Sequence, residues 1–303
     1  MARPFQYVVT EKKLMALPKP AFASNASFAL FFRRDQVQVK ESACLLTFAI
    51  QTARDAGHIL ADRRGRALQV SNKGDIDLVT EADLASEKLI IERIKSHYPR
   101  HAILAEESGA TEGVDVVRGR NDSKWIIDPL DGTTNYAHGY PCFCVSIALE
   151  RDGVLELGVI YDPTRDEMFA AERGQGATLN DRPIKVSAVD DLNSAMLCTG
   201  FPYDVRERPD FARHFANFTM EAQAVRRDGS ASLDLAYLAC GRFDGFWEEG
   251  LKAWDVAAGV LLIEEAGGRV TDFHGAGLDL DSPKVLATNG LIHQSMMRVL
   301  GTG

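Results

Sequence analysis

One stretch of this 303-residue chain, WIIDPLDGTTNYAHG at 125–139, restricts its fold and chemistry more than any other. It opens with large apolar residues, the pattern of a buried strand, and then places Asp128 and Asp131 before a glycine and two threonines. Burying carboxylates at the end of an apolar strand is costly unless a positive charge compensates them. Asp-Gly is also ordinary turn chemistry. The stretch therefore predicts either a solvated turn or a cation site on a rigid support.

Two further segments end or begin with acidic residues in the same way. Glu106 and Glu107 follow the apolar segment AILA, and Asp255 follows Trp254 at the start of an apolar helical pattern. Each has a plain explanation, as a surface acid or as a helix N-cap. Three such coincidences in one chain favour a shared site. Oxygen ligands without suitably spaced histidines favour a hard cation, Mg²⁺ before Ca²⁺ or Mn²⁺.

The residues after Asp131 offer a place for an anion beside that cation. Gly132 lets the backbone approach a ligand closely, and Thr133 stands where a helix can begin. Free N–H groups at a helix start attract phosphate. Carboxylates for a cation and amides for an anion in one loop are what a metal-assisted phosphoryl-transfer site requires.

Composition narrows the class of protein. The chain is 46% hydrophobic, enough for a core of one large or two medium domains. A net charge of −9 argues against direct nucleic-acid binding, which needs Lys and Arg. The five cysteines, most of them in apolar runs, are typical of buried free thiols in a reducing cytoplasm. We expect no membrane span, because no apolar stretch approaches the ~20 residues that one needs.

The pattern divides the chain into three parts. Residues 1–40 hold seven Lys/Arg against two Asp/Glu and are predicted to be a flexible extension. Residues 41–190 are predicted to form an N-terminal α+β part that carries the metal and phosphate residues. Residues 191–303 are predicted to form a C-terminal α/β part that completes the active site. Hairpins first, then a mixed half without strict βαβ alternation, predict a layered α+β fold rather than a doubly wound sheet.

Individual elements can be predicted from spacing. Apolar residues at helical intervals predict helices over 41–64, 77–99, 230–241 and 254–268. Two strands are predicted around a tight turn at 151–153, where the sequence is Arg-Asp-Gly. The last helix is expected to begin near Asp255 and to close on a glycine.

Several segments of the sequence resemble the signatures of a known family. WIIDPLDGTTNY at 125–136, AEES at 105–108 and WDVAAGVLLIEEAGG at 254–268 are similar to the three signatures of the inositol monophosphatase family. Residues 229–255 also resemble bacterial members, and the match covers roughly residues 41–300 in order. The resemblance implies a layered αβαβα fold of the inositol monophosphatase and fructose bisphosphatase type. It also implies Mg²⁺-dependent phosphomonoester hydrolysis, sensitivity to lithium and a homodimer.

The resemblance implies metal ligands by position. Glu106 and Asp128 would bind a first Mg²⁺ together with the backbone carbonyl of Leu130. Asp128 would bridge to a second Mg²⁺ that Asp131 and Asp255 also hold. A third, weaker ion would approach Glu106 through water. A water activated by the two metals would then attack the phosphate.

It also implies catalytic and substrate-binding roles. The amides of Gly132 and Thr133 would hold the phosphate. Asp83 would pair with the hydroxyl of Thr133 and help to orient the attacking water. Glu248 and Ala231 would contact the hydroxyl-bearing ring of the substrate.

These implied roles have simpler rivals. Asp83 stands three residues after Thr80, so it can be only the partner in a helix capping box. Thr133 can be a helix N-cap and nothing more. Glu248 can belong to a solvated acidic turn. Lys73 matches a lysine of the family near the site but can be an ordinary surface cation.

Three functions remain open at the level of sequence. The first is an inositol-1-monophosphatase. The second keeps the chemistry but acts on fructose bisphosphate, histidinol phosphate or a 3′-phosphonucleotide; Asp228 stands where a smaller or neutral residue is expected and can reshape the mouth of the pocket. The third is a regulatory partner of the RNA synthesis or processing machinery, acting through another protein because the chain is acidic.

Overall fold

The computed structural model describes residues 25–65, 70–72, 78–113, 123–201, 209–281 and 283–301. One compact unit of the chain runs from Ser42 to Gly303. Most of the predicted extension, together with Lys73, lies outside the described residues. The flexibility of residues 1–40 and the role of Lys73 therefore stay predictions. Within the described part of the chain, no helix is long and apolar enough to cross a bilayer.

The predicted helices are present, with shifted ends. The helix predicted from residue 41 begins earlier, at Asn25, and the one predicted from 77 begins at Glu81, because 78–80 form a strand. In the described residues the helices are α1 Asn25–Arg63, α2 Glu81–His97, α3 Thr133–Ala137, α4 Pro209–Glu221, α5 Ala231–Ala239, α6 Ala253–Glu265 and α7 His293–Leu300.

The first large sheet has eight strands in the order β10-β9-β8-β7-β6-β5-β3-β4. Its pairs are antiparallel except for β3 with β5. The predicted turn is confirmed: Asp152 and Gly153 both have positive φ, as a two-residue hairpin turn requires. The first ten strands are β1 Val70–Asn72, β2 Leu78–Thr80, β3 Ala102–Ala105, β4 Gly109–Thr111, β5 Ser123–Asp131, β6 Cys144–Arg151, β7 Val154–Asp162, β8 Glu167–Glu172, β9 Gly176–Leu179 and β10 Arg182–Pro183; β1 pairs only with β2.

The second large sheet has five strands in the order β12-β11-β13-β15-β14. β11 runs parallel to both of its neighbours, and the other pairs are antiparallel. The boundary predicted at 190/191 falls in the connection between the two sheets; the division into two parts stays a prediction. The strands are β11 Met196–Thr199, β12 Ala224–Arg226, β13 Gly245–Glu249, β14 Arg269–Thr271 and β15 Lys284–Thr288.

Three apolar clusters stack these elements in five layers. One cluster packs α1 and α2 on one face of the eight-stranded sheet, and a second packs α5 and α6 between the two sheets. A third packs α4 and α7 on the far face of the five-stranded sheet. The predicted αβαβα arrangement is confirmed. Each sheet is covered on both faces, which explains why its strands carry long apolar runs.

The middle helices approach their neighbours closely. A Cβ added to Gly259 of α6 would lie 2.5 Å from the side chain of Leu235 in α5, and one added to Gly158 of β7 would lie 2.7 Å from a backbone oxygen of α6. Small residues at both positions therefore fix α6 against the sheet and against α5. This matters for function because α5 and α6 carry site residues at their N-terminal ends.

The cysteines are free thiols, as predicted. Cys142, Cys144 and Cys198 are buried, whereas Cys44 is exposed and Cys240 is half-buried. The prediction of burial therefore holds for three of the five.

A buried histidine stabilises the end of the second sheet. His293 is 1% exposed at the start of α7, and its two ring nitrogens lie 2.9 Å and 3.0 Å from the hydroxyl oxygens of Thr288 and Thr271. Burial, and then the nearby charge of Arg269, lowers the pKa of His293 to about 4. The imidazole is therefore neutral in the folded protein at neutral pH.

We predict that His293 makes the fold sensitive to mild acid. Between pH 6.5 and about 4 the unfolded histidine takes up a proton and the folded one does not, so stability falls as pH falls. The free energy of unfolding of the wild type, relative to His293→Asn, should decrease by up to about 3 kcal/mol from pH 7 to pH 4 in urea titrations. His274→Asn, at an exposed histidine, serves as the control. A difference that does not vary with pH would contradict the assignment.

Candidate metal and phosphate site

The site is built around the end of β5, where regular pairing with β6 stops. The register shifts between Asp128 and Asp131, and Pro129, which has no N–H to donate, lies inside this irregularity. Asp128 is 2% exposed, and its Oδ1 accepts a hydrogen bond of 3.0 Å from the amide of Leu130. The bulge therefore holds a buried carboxylate at the rim of a rigid sheet.

Asp131 is held from a distant part of the chain. Its Oδ2 accepts hydrogen bonds from the hydroxyl of Ser230 at 2.6 Å and from the amide of Ser232 at 2.7 Å. Both donors belong to the N-terminal end of α5, where amides are free and the helix dipole is positive. Burial raises the pKa of Asp131, and these donors partly offset the effect.

Asp255 lies on the first turn of α6, although not as its N-cap. The N-cap is Lys252, and the carboxylate of Asp255, three residues later, accepts the Lys252 amide at 2.7 Å. The acid predicted at the helix start is present, but the helix begins before the predicted residue 254, and Asp255 is its third residue rather than its N-cap. This bond leaves the other carboxylate oxygen available for a ligand.

Three of the predicted ligands converge. One oxygen from each of Asp128, Asp131 and Asp255 lies within 4.8 Å of the others, a group that can hold a metal ion. Glu106 lies outside this group but lines the same cavity. The solvated-turn interpretation of Asp128 is therefore wrong, because the side chain is buried among other acids.

Burial and mutual repulsion together set the electrostatics of this group. Burial first, and then the charges of Glu106, Asp131 and Asp255, raise the pKa of Asp128 well above its ordinary value. Burial and then Asp131 do the same for Asp255, with partial relief from the amide and charge of Lys252. Such a group is stable when it takes up protons or binds a cation. Its all-oxygen donor set fits a hard divalent ion.

A glycine turn leads from the acids into α3. Gly132 has φ +92° in the left-handed region, and a Cβ there would lie 2.8 Å from the carbonyl oxygen of Cys142. Both the left-handed backbone and the nearby carbonyl oxygen of Cys142 therefore exclude a side chain at this position. Gly132 is the N-cap of α3, so Thr133 is its first residue rather than the N-cap that the sequence allowed.

Asp83 makes the contacts that both of its sequence-based interpretations require. Its Oδ2 accepts from the amide of Thr80 at 2.9 Å and from the Thr80 hydroxyl, completing the capping box of α2. Its Oδ1 lies 3.1 Å from the Thr133 hydroxyl, which also lies 3.0 Å from the carbonyl oxygen of Leu130. Burial raises the pKa of Asp83, and its hydrogen bonds from Thr80 and Thr133 oppose the shift. The two interpretations are compatible because a carboxylate has two oxygens.

A cavity of about 290 Å³ joins nearly all of the predicted residues. Glu248 is 5% exposed on β13, so the solvated acidic turn predicted as its alternative is wrong. Asp83 is absent from the lining and lies behind Thr133. The predicted residues that line the cavity are Glu106, Asp128, Leu130, Asp131, Gly132, Thr133, Ala231, Glu248 and Asp255.

Some residues of the site had no predicted role. Asn135 donates from Nδ2 to the carbonyl oxygens of Cys142 and Asp228, both at 2.8 Å, and so joins the motif to the segment before α5. Asp234, 1% exposed on α5, also lines the cavity. In the sequence, Asn135 stands between polar neighbours, which is only a weak indication of a role in the site. Asp234 is the acid within an otherwise apolar helix, which is a stronger indication.

The chain matches the model of a known protein family over most of its length. A model of the inositol monophosphatase family matches residues 41–301. The chain belongs to the inositol monophosphatase family. The resemblance seen in the sequence is thereby confirmed, and so is the predicted enzyme class, a phosphoric monoester hydrolase, at the level of the family.

Curated relatives of this family member carry two kinds of name. The inositol-1-monophosphatase of Synechocystis is 47% identical over 257 residues, covering 84% of this chain and 88% of the relative. The Nus factor SuhB of Escherichia coli K12 is 44% identical over 259 residues, covering 84% and 94%.

Solved structures match the fold of the family member over similar lengths. The inositol monophosphatase from Anabaena has a TM-score of 0.76 at 48% identity and covers 86% of this chain and 96% of its own. The extragenic suppressor protein SuhB from Bartonella henselae has a TM-score of 0.81 at 42% identity and covers 86% and 99%. These neighbours bear out the layered α+β fold.

We predict that Asp128 destabilises the protein when no cation is bound. A raised folded pKa means that the folded state holds more protons, so metal-free stability falls as pH rises above about 4. In EDTA at neutral pH, Asp128→Asn should unfold at a higher temperature than the wild type, because the amide removes one charge and keeps an acceptor for the Leu130 amide.

Added Mg²⁺ should make the wild type more stable than Asp128→Asn. At a concentration a hundredfold above its Kd, the ion should stabilise the wild type by about 2.7 kcal/mol and the variant by much less. The exposed Asp279→Asn serves as the control in the same thermal scans. If Asp128→Asn were less stable than the wild type in EDTA, or gained as much stability from Mg²⁺ as the wild type does, the repulsion would be wrongly assigned to Asp128.

Proposed function

We propose that this chain is a Mg²⁺-dependent phosphomonoester hydrolase whose substrate is inositol 1-phosphate. The observation that carries the proposal is the convergence of Asp128, Asp131 and Asp255 within 4.8 Å beside the left-handed turn at Gly132. Two relatives at 47% and 45% identity, from Synechocystis and Mesorhizobium japonicum, are named inositol-1-monophosphatase and support this substrate.

The carboxylates are the ligands in this proposal. Glu106, Asp128 and the carbonyl oxygen of Leu130 would hold one Mg²⁺, and Asp128, Asp131 and Asp255 would hold a second. A third, weaker ion would be held near Glu106 through water. When bound, Mg²⁺ neutralises charge on the phosphate and leaving group and lowers the pKa of water.

The chain itself positions the phosphate and the attacking water. The amides of Gly132 and Thr133, at the start of α3, are the proposed donors to phosphate oxygens. If the Thr133 hydroxyl donates its proton to Asp83 Oδ1, 3.1 Å away, its oxygen is left to accept a hydrogen bond from a water. The other oxygen of Asp83 is fixed by Thr80, so this orientation is held by the capping box of α2.

The substrate's alcohol part lies toward α5 and β13 in this proposal. Ala231 is the first residue of α5 and lines the cavity, and Glu248 reaches the cavity from β13. Oε2 of Glu248 has no hydrogen-bond partner among the described residues, so a substrate hydroxyl would satisfy it. Fructose bisphosphate, histidinol phosphate and 3′-phosphonucleotides are the alternative substrates for the same chemistry. Inhibition by lithium, a homodimer and a cytoplasmic location belong to the same proposal.

A second candidate function is regulatory. Relatives from Pasteurella multocida and Escherichia coli, 47% and 44% identical, are named Nus factor SuhB. They support a role for this chain with the RNA synthesis or processing machinery. The net charge of −9 favours a protein partner over direct contact with RNA. Stoichiometric capture of a subunit of that machinery on the purified chain would support this role, and capture of none would oppose it.

The proposed reaction is tested by phosphate release from a substrate panel. We expect release only with Mg²⁺, fastest from inositol 1-phosphate among the four substrate classes, and reduced by added lithium. Asp128→Asn should be folded and without turnover, because the bridging carboxylate is gone. Substantial turnover by this variant at saturating Mg²⁺, or no release from any substrate by the wild type, would refute the proposal.

The role of Thr133 in orienting water is tested separately. Thr133→Ala should lower kcat by about 10²-fold or more, because the variant has no hydroxyl to hold the water. Thr219→Ala, at an exposed hydroxyl on α4, is the matched control. An unchanged kcat for Thr133→Ala would leave this hydroxyl a purely structural part of α3.

A further inference from the structure

The cavity contains two acids beyond those proposed as metal ligands. Asp234 lies on the first turn of α5 and is 1% exposed, and Glu248 lies on β13 and is 5% exposed. Both oxygens of Asp234 and Oε2 of Glu248 have no hydrogen-bond partner among the described residues. Three buried acceptors without donors therefore belong to two residues that line one cavity.

Buried acceptors of this kind need donors or positive charge from a ligand. A buried polar group without a partner is costly, and a buried charge more so. Burial, and then the charges of Asp228 and Glu248, raise the pKa of Asp234; burial and then Asp255 and Asp131 raise that of Glu248. A further anion in this region would add to the repulsion. Hydroxyl groups would relieve it by donating hydrogen bonds.

The cations that line the cavity do not cancel the repulsion that Asp234 and Glu248 exert on a further anion. Arg227 opposes the shifts of both Asp234 and Glu248, but it is exposed and lies 5.2 Å over the ring of Phe201. Charge on an exposed side chain is screened by solvent and salt, whereas the two acids are buried. Lys252, the other cation of the lining, acts on Asp255.

We infer that Asp234 is a specificity-determining residue, which with Glu248 makes this part of the cavity accept hydroxyl groups on the alcohol part of the substrate and exclude a second phosphate. The inference rests on the proposed function and narrows its substrate class. Of the alternatives, fructose bisphosphate and a 3′-phosphonucleotide with a second phosphate are disfavoured. Repulsion of the wrong ligand is an effective source of specificity, because specificity is a difference between two affinities.

The test compares two ligands that differ by one phosphate. Fructose 1-phosphate and fructose 1,6-bisphosphate have the same carbon skeleton and both carry a phosphate at C1, so a change in the ratio of their kcat/KM values between the wild type and a variant reports the response to the second phosphate. Asp234→Asn keeps the shape of the side chain and removes its charge. It should raise kcat/KM for the bisphosphate relative to the monophosphate by about tenfold, which is about 1.4 kcal/mol, mainly through KM. Asp181→Asn, at an exposed aspartate, should leave the ratio as in the wild type.

A second variant covers the case in which Asp234→Asn fails to fold. Glu248→Gln removes the charge of the other acid and keeps an acceptor, so it should shift the same ratio in the same direction. An unchanged ratio in folded Asp234→Asn, or in folded Glu248→Gln if Asp234→Asn does not fold, would overturn the inference.

A binding measurement tests this inference independently of the proposed reaction. Calorimetric dissociation constants for the two fructose phosphates should show the same discrimination and the same loss of it in Asp234→Asn. If the wild type hydrolyses neither these nor any other phosphomonoester but still discriminates in binding, the proposed reaction fails and the assignment of Asp234 stands. Equal affinities in the wild type would overturn the assignment whatever the turnover.

Discussion

Repulsion between carboxylates that the fold holds close together is the constraint on which the rest of this site depends. Asp128, Asp131 and Asp255 meet within 4.8 Å, and each is held by a different element. The bulge of β5 holds the first, the free amides of α5 hold the second and the first turn of α6 holds the third. The acids cannot move apart without breaking these bonds. A bound cation would relieve their repulsion. Rigid elements of the fold thus hold the acids in an arrangement that favours the binding of a cation.

The two ends of the cavity come from different layers. The proposed metal and phosphate end is formed by the rim of the eight-stranded sheet and by α3, with one acid from α6. The end proposed to take the alcohol part of the substrate is formed by α5 and by β13 of the five-stranded sheet. Asn135 and Asp131 join the two ends through hydrogen bonds to the segment around Ser230. Substitutions on α5 and β13 can therefore alter the choice of substrate while the chemistry at β5 is retained.

Much of this arrangement could be predicted from the sequence, and the remainder depends on long-range contacts. Asp128 and Glu106 were identifiable because each ends an apolar segment, and the family signatures gave the five layers. The bond from Ser232 to Asp131 spans 101 positions, so no local pattern indicates it. Asp234 has helical neighbours that are nearly all apolar, and only the folded structure reveals that its oxygens lack donors among the described residues. The N-cap of α6 was misassigned because Lys252 is not a typical capping residue.

The central claim, that these acids are a metal centre, is tested most directly by anomalous diffraction from crystals soaked in Mn²⁺, which has oxygen preferences close to those of Mg²⁺. The account predicts strong peaks beside the oxygens of Asp128, one shared with Asp131 and Asp255 and one shared with Glu106. Well-diffracting crystals with saturating Mn²⁺ and no peak at Asp128 would contradict it.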